Sequence, residues 1–244
     1  MLRRYFKSLY QDAMGRAYDA AYSQIAACTG PEAKILDCGA GDGSVFDILA
    51  ERCGIARSQY RGVEWHRTSA DKGRARGLAI SDGDLNEGLP HEDASFSCVY
   101  ALSVLEHLLN PCRFLNHCYR VLRPGGRLVL LTPNISTYFT AVLILLGKMP
   151  SSGPHPDSNA LIKREELFKV SSEALQPDAE SDRPAHRHLI VFSYRVLGSY
   201  LRAAGFSQVH GRGFGLYPFP VFMQPALERL DPYHCHQMVF SATK

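Results

Sequence analysis

The sequence predicts an α/β fold with a doubly wound, mostly parallel sheet that carries helices on both faces. Three observations support this prediction. Short apolar segments alternate with segments of helical periodicity, which is the pattern of strand–helix–strand units. The segment 127–132 is almost entirely apolar, as expected of a strand with both faces covered. A glycine-rich turn follows the first strand, where such a sheet places its ligand crevice.

Helices are predicted from apolar residues that recur every three or four positions. This pattern covers 5–27, then 44–49 after the glycine-rich turn, and then 113–122. The Pro-Gly-Gly turn at 124–126 stops the third helix. Ser193 is a candidate N-cap for a further helix that ends at Gly205. The predicted strands are seven, at 34–38, 60–63, 78–80, 96–102, 127–132, 206–210 and 237–242.

The alternation breaks between Pro133 and about Arg187, a segment rich in Pro, Ser, Asp and His. It is too long for a simple crossover loop, and such segments are commonly lids or binding elements. The apolar run 141–146 inside it is either a lid helix or a plain core helix. We therefore predict an inserted lid after the fifth strand.

The composition is that of an ordinary globular chain, with 45% hydrophobic and 21% charged residues. A disordered, collagenous or small disulfide-rich protein is therefore excluded. Lys and Arg outnumber Asp and Glu by 27 to 24, a net charge of +3. This excess is too small to indicate a nucleic-acid partner. The longest apolar run falls far short of the roughly 20 residues that span a bilayer, so no transmembrane segment is expected.

The cysteines give no sign of a metal or disulfide framework. There are seven, an odd number, and no two are spaced as C-x-x-C, so neither zinc nor a redox dithiol is indicated and no metal is expected. The basic N-terminus lacks the apolar stretch of a signal peptide. These features predict a cytoplasmic protein.

The turn after the first strand reads Asp37-x-Gly39-x-Gly41-x-Gly43. Glycines there let the backbone approach a ligand closely, and the following helix presents free N–H groups. A dinucleotide fingerprint would need a third glycine at position 44, where Ser44 stands. Asp37 would repel a pyrophosphate but could attract an ammonium group. The spacing therefore argues against a nicotinamide oxidoreductase.

Two further acids follow the next two strands. Glu64 ends the second strand, where an acid accepts hydrogen bonds from ribose hydroxyls. Asp84 follows the third strand and either receives the exocyclic amine of a purine or simply forms a turn. Three acids at successive strand ends suit a ligand that has an amine, a ribose and an adenine but no phosphate.

The chain resembles the class I S-adenosylmethionine-dependent methyltransferases, and most closely the small-molecule group that includes the ubiquinone-pathway methyltransferases. The resemblance implies a seven-stranded Rossmann-like sheet. It covers roughly residues 30–134 and 186–206. Ser97 departs from the family, which often has Asp there, and we interpret that position as structural. The matching segments are ILDCGAGDGS (35–44), YRGVEWH (60–66), GDLNEGLPHEDASF (83–96), ALSVLEHLLNP (101–111), RVLRPGGRLVLLTPN (120–134) and HRHLIVFSYRVLGSYLRAAGF (186–206).

The resemblance implies S-adenosylmethionine as cofactor, with S-adenosylhomocysteine as product. Glu64 would take the ribose hydroxyls, and Asp84 with Leu85 would flank the adenine. The residues that would hold the methionine part are Asp37, Gly39, Gly41 and Gly43, and those that would line the wall near the sulfonium are Ala101, Leu102 and Ser103. Ala40 and Trp65, which lie within the same motifs, are also expected to contact the cofactor.

Methyl transfer from a sulfonium is a direct displacement, so the protein mainly positions donor and acceptor, which can supply roughly 7–11 kcal/mol. Candidate general bases are His107, His186 and His188. For His107 the alternative is that the Glu106-His107 pair only shapes the chain after the fourth strand. For the other two the alternative is a packed or solvated histidine.

These observations predict a methyltransferase that acts on a small-molecule acceptor, as a monomer or homodimer without nucleic acid. The alternatives are an RNA or protein methyltransferase and a non-catalytic cofactor-binding protein of the same fold. Deleting residues 150–185 should abolish turnover and leave cofactor affinity nearly intact. The expected units are an N-terminal helical cap (1–28), a cofactor-binding core (29–134), a lid or substrate insertion (135–187) and a C-terminal completion of the core (188–244).

Overall fold

The computed structural model describes residues 2–150, 152–154 and 187–244. Its strands are β1 (Ile35–Cys38), β2 (Tyr60–Glu64), β3 (Ile80–Asp82), β4 (Phe96–Leu102), β5 (Leu122–Pro133), β6 (Ser207–Phe214) and β7 (Gln237–Thr243). They form one sheet in the order β3-β2-β1-β4-β5-β7-β6. The strands β1 to β5 pair in parallel, whereas β7 runs antiparallel to both β5 and β6. The predicted doubly wound, mostly parallel seven-stranded sheet is confirmed.

Helices cover both faces of this sheet. They are α1 (Leu2–Ala26), α2 (Ser44–Cys53), α3 (Arg67–Ala75), α4 (Pro111–Val121), α5 (Tyr138–Leu145), α6 (Tyr194–Ala203) and α7 (Gln224–Leu230). Apolar residues of α1, α2 and α3 share one buried cluster with one face of the central strands. Residues of α4 and α6 share a second cluster with the opposite face. Because every central strand is covered twice, the carboxyl ends of the strands are the edge where a ligand can enter.

The first helix packs against the sheet through a stripe of small and aliphatic residues. Leu9, Ala13, Ala17, Ala21 and Ile25 recur every fourth position and are at most 1% exposed. This spacing puts them on one face of a helix. The three alanines let the helix lie close to the strands, which positions its other side chains near the strand ends. The predicted first helix is confirmed.

The structure differs from the sequence prediction at several boundaries. The third strand lies at Ile80–Asp82 instead of 78–80, because the side chain of Leu78 packs over the turn at Gly43 before the strand begins. Strand β6 extends to Phe214, beyond the predicted end. The helix α3 shows no apolar periodicity, because only Ala70 and Gly73 of that helix are buried. For this reason its sequence pattern did not predict it.

The helix α5 does not fit the interpretation as a plain core helix. Only Thr140 and Leu143 are buried, whereas Leu145 is 86% exposed. One contact with α1 is a ring pair between Phe6 and Phe139, with centroids 5.5 Å apart. A role of this segment as a lid stays a prediction. None of the helices in the described ranges has the length and apolar character needed to cross a membrane.

Candidate cofactor cleft and the adjoining histidine pair

The glycine-rich turn after β1 needs glycine for two different reasons. Gly39 has φ +85°, and a Cβ there would lie 2.5 Å from Cγ2 of Val104, so glycine lets the turn touch the segment after β4. Gly41 has φ +56°, and a Cβ there would meet no atom within 4 Å. Its peptide therefore borders open space while keeping a left-handed conformation that favours glycine. This turn is a backbone cradle with one open side.

Glu64 is tied directly to this cradle. Its Oε2 accepts a hydrogen bond from the Gly41 N–H at 2.8 Å, and its Oε1 accepts one from the His66 N–H at 2.7 Å. An ionised carboxylate has about four acceptor positions, so each oxygen keeps capacity for another donor. A diol fits this arrangement. The neighbouring Trp65 is 51% exposed at the same strand end.

Asp37, which the resemblance implies as a residue that holds the methionine part, is largely buried near the end of β1. Its side chain is only 3% exposed. The Tyr60 hydroxyl donates to Oδ2 of Asp37 at 2.9 Å. Burial raises the pKa of Asp37 to about 7, although the Tyr60 and Tyr100 hydroxyls oppose that rise. The reason is the sheet register, which aligns Asp37 with Gly62 and Tyr100 inside the core.

The surroundings of Asp37 suit a cationic group nearby. A buried carboxyl group with a raised pKa ionises more readily when a positive charge comes close. An ammonium group near the turn would stabilise the carboxylate form of Asp37. A direct contact between Asp37 and the cofactor stays a prediction.

Asp84 and Leu85 lie after β3 in a tight turn. Oδ1 of Asp84 accepts hydrogen bonds from the backbone N–H and the side-chain amide of Asn86, at 2.8 and 2.9 Å. In the structure, Asp84 thus forms a turn, as one of the two interpretations expected. The contact of Asp84 with adenine stays a prediction. Leu85 is 6% exposed and packs in the core, so its side chain presents little surface to a ligand.

The end of β4 meets the first helix at the strand-end edge. Ala101 is buried and Leu102 is half-buried, whereas Ser103 has φ +56°, which is rare for a residue with a side chain. The hydroxyls of Ser103 and Tyr18 are 3.3 Å apart. The sequence patterns did not predict a role for Tyr18. Its position in the first helix, next to the buried face that contains Ala17 and Ala21, was the one feature that pointed to it.

The helix α1 brings a second phenol to this region. Tyr10 packs its ring against His236, with centroids 5.6 Å apart. Burial raises the pKa of both Tyr10 and Tyr18, and the charge of Glu106 adds to the rise in each case. Both phenols therefore keep their protons at neutral pH and can donate hydrogen bonds. The N-terminal helix thus contributes polar groups beside the carboxyl end of β4.

The chain after β4 forms a short 3-10 turn, Leu105–His107. This turn brings Glu106 and His107 close to His188. The rings of His107 and His188 are 5.1 Å apart, centroid to centroid. Glu106 is 2% exposed, burial raises its pKa to about 7, and the Thr132 hydroxyl donates to its Oε2 at 3.0 Å. The structure thus joins two of the three candidate bases. His186 lies outside the described residues.

Ser97, the departure from the family pattern, has a structural role. Its side chain is 5% exposed, and its hydroxyl oxygen accepts a hydrogen bond from the Lys34 N–H at 3.3 Å. The Ser97 N–H donates in turn to the Lys34 carbonyl at 2.8 Å. These bonds join the starts of β1 and β4, far from the strand ends that carry the cleft.

Comparison with known proteins identifies the family. The family model described as a methyltransferase domain matches residues 10–210. The chain belongs to this family. The resemblance to the class I S-adenosylmethionine-dependent methyltransferases is thereby confirmed, and with it the expected cofactor.

Individual relatives of this methyltransferase domain match over part of their length. A probable S-adenosylmethionine-dependent methyltransferase of Mycolicibacterium smegmatis is 35% identical over 126 residues, which cover 50% of this chain and 46% of that protein. A ubiquinone biosynthesis O-methyltransferase of Maricaulis maris is 31% identical over 115 residues, or 46% of this chain and 45% of that protein. The chain spans a little under half the length of these curated relatives.

Solved methyltransferase structures share the fold of this domain. The crystal structure of a SAM-dependent methyltransferase from Thermotoga maritima, described as a possible histamine N-methyltransferase, superposes with a TM-score of 0.56. The two chains are 19% identical, and the superposition covers 99% of each. At this identity the similarity establishes the architecture and leaves the acceptor open.

Proposed function

We propose that this domain transfers the methyl group of S-adenosylmethionine to a small-molecule acceptor by direct displacement. The observation that carries the proposal is the position of Glu64, whose carboxylate is bound to the Gly41 N–H and still has acceptor capacity for a ribose diol. A carboxylate in this position accepts hydrogen bonds from ribose hydroxyls, and the glycine spacing of the preceding turn departs from the dinucleotide fingerprint.

The proposed cofactor site combines the open cradle with the walls around it. Glu64 would hold the ribose hydroxyls, and the buried Asp37 would favour the cofactor's ammonium group through its charge. When bound, S-adenosylmethionine supplies an activated methyl group on sulfur. The other residues proposed to line the site are Gly39, Ala40, Gly41, Gly43, Trp65, Asp84, Leu85, Ala101, Leu102 and Ser103.

The chain's own contribution to the reaction would be mostly orientation. Ser103 and Tyr18 meet at the end of β4, so α1 would form one wall of the acceptor site. Holding two reactants in line can supply roughly 7–11 kcal/mol, which makes a dedicated base unnecessary for an acceptor that is already nucleophilic. His107 and His188 are the described candidates where the acceptor must lose a proton.

A small-molecule acceptor is supported by the names of several relatives. Ubiquinone biosynthesis O-methyltransferases are among them, and the net charge of +3 offers little attraction for nucleic acid. We propose that the reaction takes place in the cytoplasm. The RNA or protein methyltransferase and the non-catalytic binding protein are the competing outcomes of the test below.

Calorimetric titration of the full chain with S-adenosylmethionine, S-adenosylhomocysteine and NADH tests the cofactor class. We expect the first two to bind and NADH to give no heat of binding. Transfer of radiolabelled methyl groups to panels of phenols, amines, RNA and protein then tests the acceptor. Binding of NADH in the cleft would overturn the proposed class, and labelled RNA or protein would overturn the proposed acceptor. Tight cofactor binding with no transfer to any acceptor would favour the non-catalytic alternative.

A further inference from the structure

Three side chains with metal-ligating atoms converge just beyond the end of β4. They are Glu106, His107 and His188, and one potential ligand atom from each lies within 4.8 Å of the others. Glu106 and His107 come from the turn after β4, whereas His188 comes from the chain that leads into α6. Glu106 is buried and the two histidines are half-buried. The cluster is therefore sheltered from bulk solvent but not fully buried.

Hydrogen bonds set the tautomers of both histidines. Nδ1–H of His107 donates to the Arg187 carbonyl at 2.9 Å, and Nδ1–H of His188 donates to the Ser152 carbonyl. A carbonyl oxygen can only accept, so Nδ1 must carry the proton in each ring. In a neutral imidazole the lone pair then lies on Nε2. Metal-binding histidines are held in the same way, with the non-ligating N–H bonded to a carbonyl or carboxylate.

The carboxylate of the cluster is held by its own neighbours. The Thr132 hydroxyl at the end of β5 donates to Oε2 of Glu106 at 3.0 Å. The backbone N–H of Leu189 donates to the Glu106 carbonyl at 2.7 Å, which ties the segment carrying His188 to the turn carrying Glu106. The three side chains are thus brought together by the backbone and do not depend on a ligand for their approach.

We propose that Glu106, His107 and His188 form a binding site for a divalent transition-metal ion. Two imidazole nitrogens and one carboxylate are a ligand set that suits ions such as Zn²⁺, Mn²⁺ and Fe²⁺. Mg²⁺ and Ca²⁺ prefer oxygen ligands throughout, so they fit this set less well. Three protein ligands also leave coordination positions for water or for an oxygen atom of a substrate.

The location gives the ion a role in the proposed reaction. Glu106 lies three positions beyond Ser103, in the segment that follows the strand lining the cofactor cleft. A bound divalent ion lowers the pKa of a hydroxyl group coordinated to it. The ion would thus orient and activate an oxygen acceptor. This role rests on the proposed function, whereas binding of the ion does not.

Titration of the chelator-treated full chain with Co²⁺ tests the site through the visible d–d absorption of the bound ion, and loss of the free Mn²⁺ paramagnetic resonance signal is an independent readout. We expect saturable binding of one ion per chain. Glu106→Gln, His107→Gln and His188→Gln should each weaken Co²⁺ binding about 10- to 100-fold or more, in line with losses seen even for residues that only support a ligand. His210→Gln, on the exposed side of β6, is the matched control and should bind like the wild type.

The inference is overturned if the wild type shows no saturable Co²⁺ binding, or if Glu106→Gln and His188→Gln bind Co²⁺ as tightly as His210→Gln. Far-ultraviolet circular dichroism identifies a variant that fails to fold. Thr132→Val then serves instead of Glu106→Gln, because it removes only the hydroxyl that holds the carboxylate, and about tenfold weaker binding is expected. Titration with S-adenosylhomocysteine in parallel separates the two proposals. If S-adenosylhomocysteine binds and Co²⁺ does not, the metal site alone is overturned. If Co²⁺ binds and S-adenosylhomocysteine does not, the proposed cofactor alone is overturned.

Discussion

Glu64, at the carboxyl end of β2, accepts a 2.8 Å hydrogen bond from the backbone N–H of Gly41 in the turn after β1. This bond joins the two motifs that the sequence suggested separately, the glycine-rich turn and the acid after the second strand. The carboxylate supports the shape of the turn through this bond. A change at either residue should therefore affect ligand binding before it affects the fold.

Replacing Glu64 tests this relationship most directly. Glu64→Gln keeps the shape of the side chain but removes its charge and part of its acceptor capacity. Hydrogen bonds to a charged group contribute roughly 1.5–3 kcal/mol, so the affinity for S-adenosylhomocysteine should fall about 10- to 100-fold by calorimetry. Glu51→Gln, an exposed acid on α2, is the control. An unchanged affinity in Glu64→Gln would remove the main support for the cofactor site.

Replacing Gly39 or Gly41 of the turn by alanine should lower the stability of the protein by different amounts. Gly41→Ala places its Cβ in open space and retains the left-handed φ of +56°, which should lower the free energy of unfolding by roughly 1–2 kcal/mol. Gly39→Ala adds a close approach of 2.5 Å to Val104 and should be clearly more destabilising. Urea denaturation measures both values.

Gly15→Ala provides the control for that comparison. Gly15 lies in α1 with no atom within 4 Å of a new Cβ, so alanine should stabilise the helix by roughly 0.5–1 kcal/mol. Equal losses for Gly39→Ala and Gly41→Ala would show that the contact with Val104 is not a constraint on the turn.

Asp37 should make stability depend on pH. Its pKa of about 7 in the folded protein is higher than the value of about 3.9 expected in the unfolded chain. The folded state thus binds the proton more tightly, and the contribution of Asp37 to stability is lost as the pH rises from about 4 through 7. Asp37→Asn should remove this loss, so the variant should gain stability relative to the wild type as the pH rises. Urea denaturation at pH 5 and pH 8 measures the difference.

The same substitution should have the opposite effect on the cofactor. If the ionised Asp37 favours the cofactor's ammonium group, affinity for S-adenosylhomocysteine should rise between pH 6 and pH 8 in the wild type and change less in Asp37→Asn. Calorimetry in buffers with different ionisation enthalpies would detect the proton released on binding. A variant that is more stable at pH 8 and binds equally well would assign Asp37 a purely structural role.

An ion pair between α1 and α7 should contribute more to stability than the surface pairs. Arg16 donates from Nη1 and Nη2 to the two oxygens of Glu228, at 2.5 and 2.9 Å. Glu228 is 7% exposed and also accepts from the Gly215 N–H at 2.7 Å. Glu228→Gln should therefore lower the free energy of unfolding by roughly 1.5–3 kcal/mol.

The exposed pair of Arg52 and Asp19 is the comparison for that prediction. The Asp19 side chain is 63% exposed, and such pairs contribute roughly 0–1 kcal/mol. Thermal and urea denaturation of Asp19→Asn and Glu228→Gln at the same ionic strength give the two values. Similar losses in the two variants would mean that the Arg16–Glu228 contact does not hold α7 to the first helix.

Local patterns were sufficient where a structural element depends on its own residues. The alternation of apolar and helical segments predicted all seven strands, and Ser193 caps α6 by accepting from the Val196 N–H as expected. The same patterns failed for α7, because its burial depends on Arg16 in a helix at the other end of the chain. The run 141–146 allows two interpretations from sequence, because periodicity does not show which apolar faces are covered.

The sequence by itself indicated the strands, the glycine-rich turn and the acids at the strand ends, because apolar patterning and residue spacing are local properties of the chain. Only the tertiary structure decided that Asp37 is buried, that Tyr18 reaches Ser103, and that Glu106, His107 and His188 meet. These relationships join segments far apart in the chain. Their distances depend on how the helices pack on the sheet, and no local spacing records that packing.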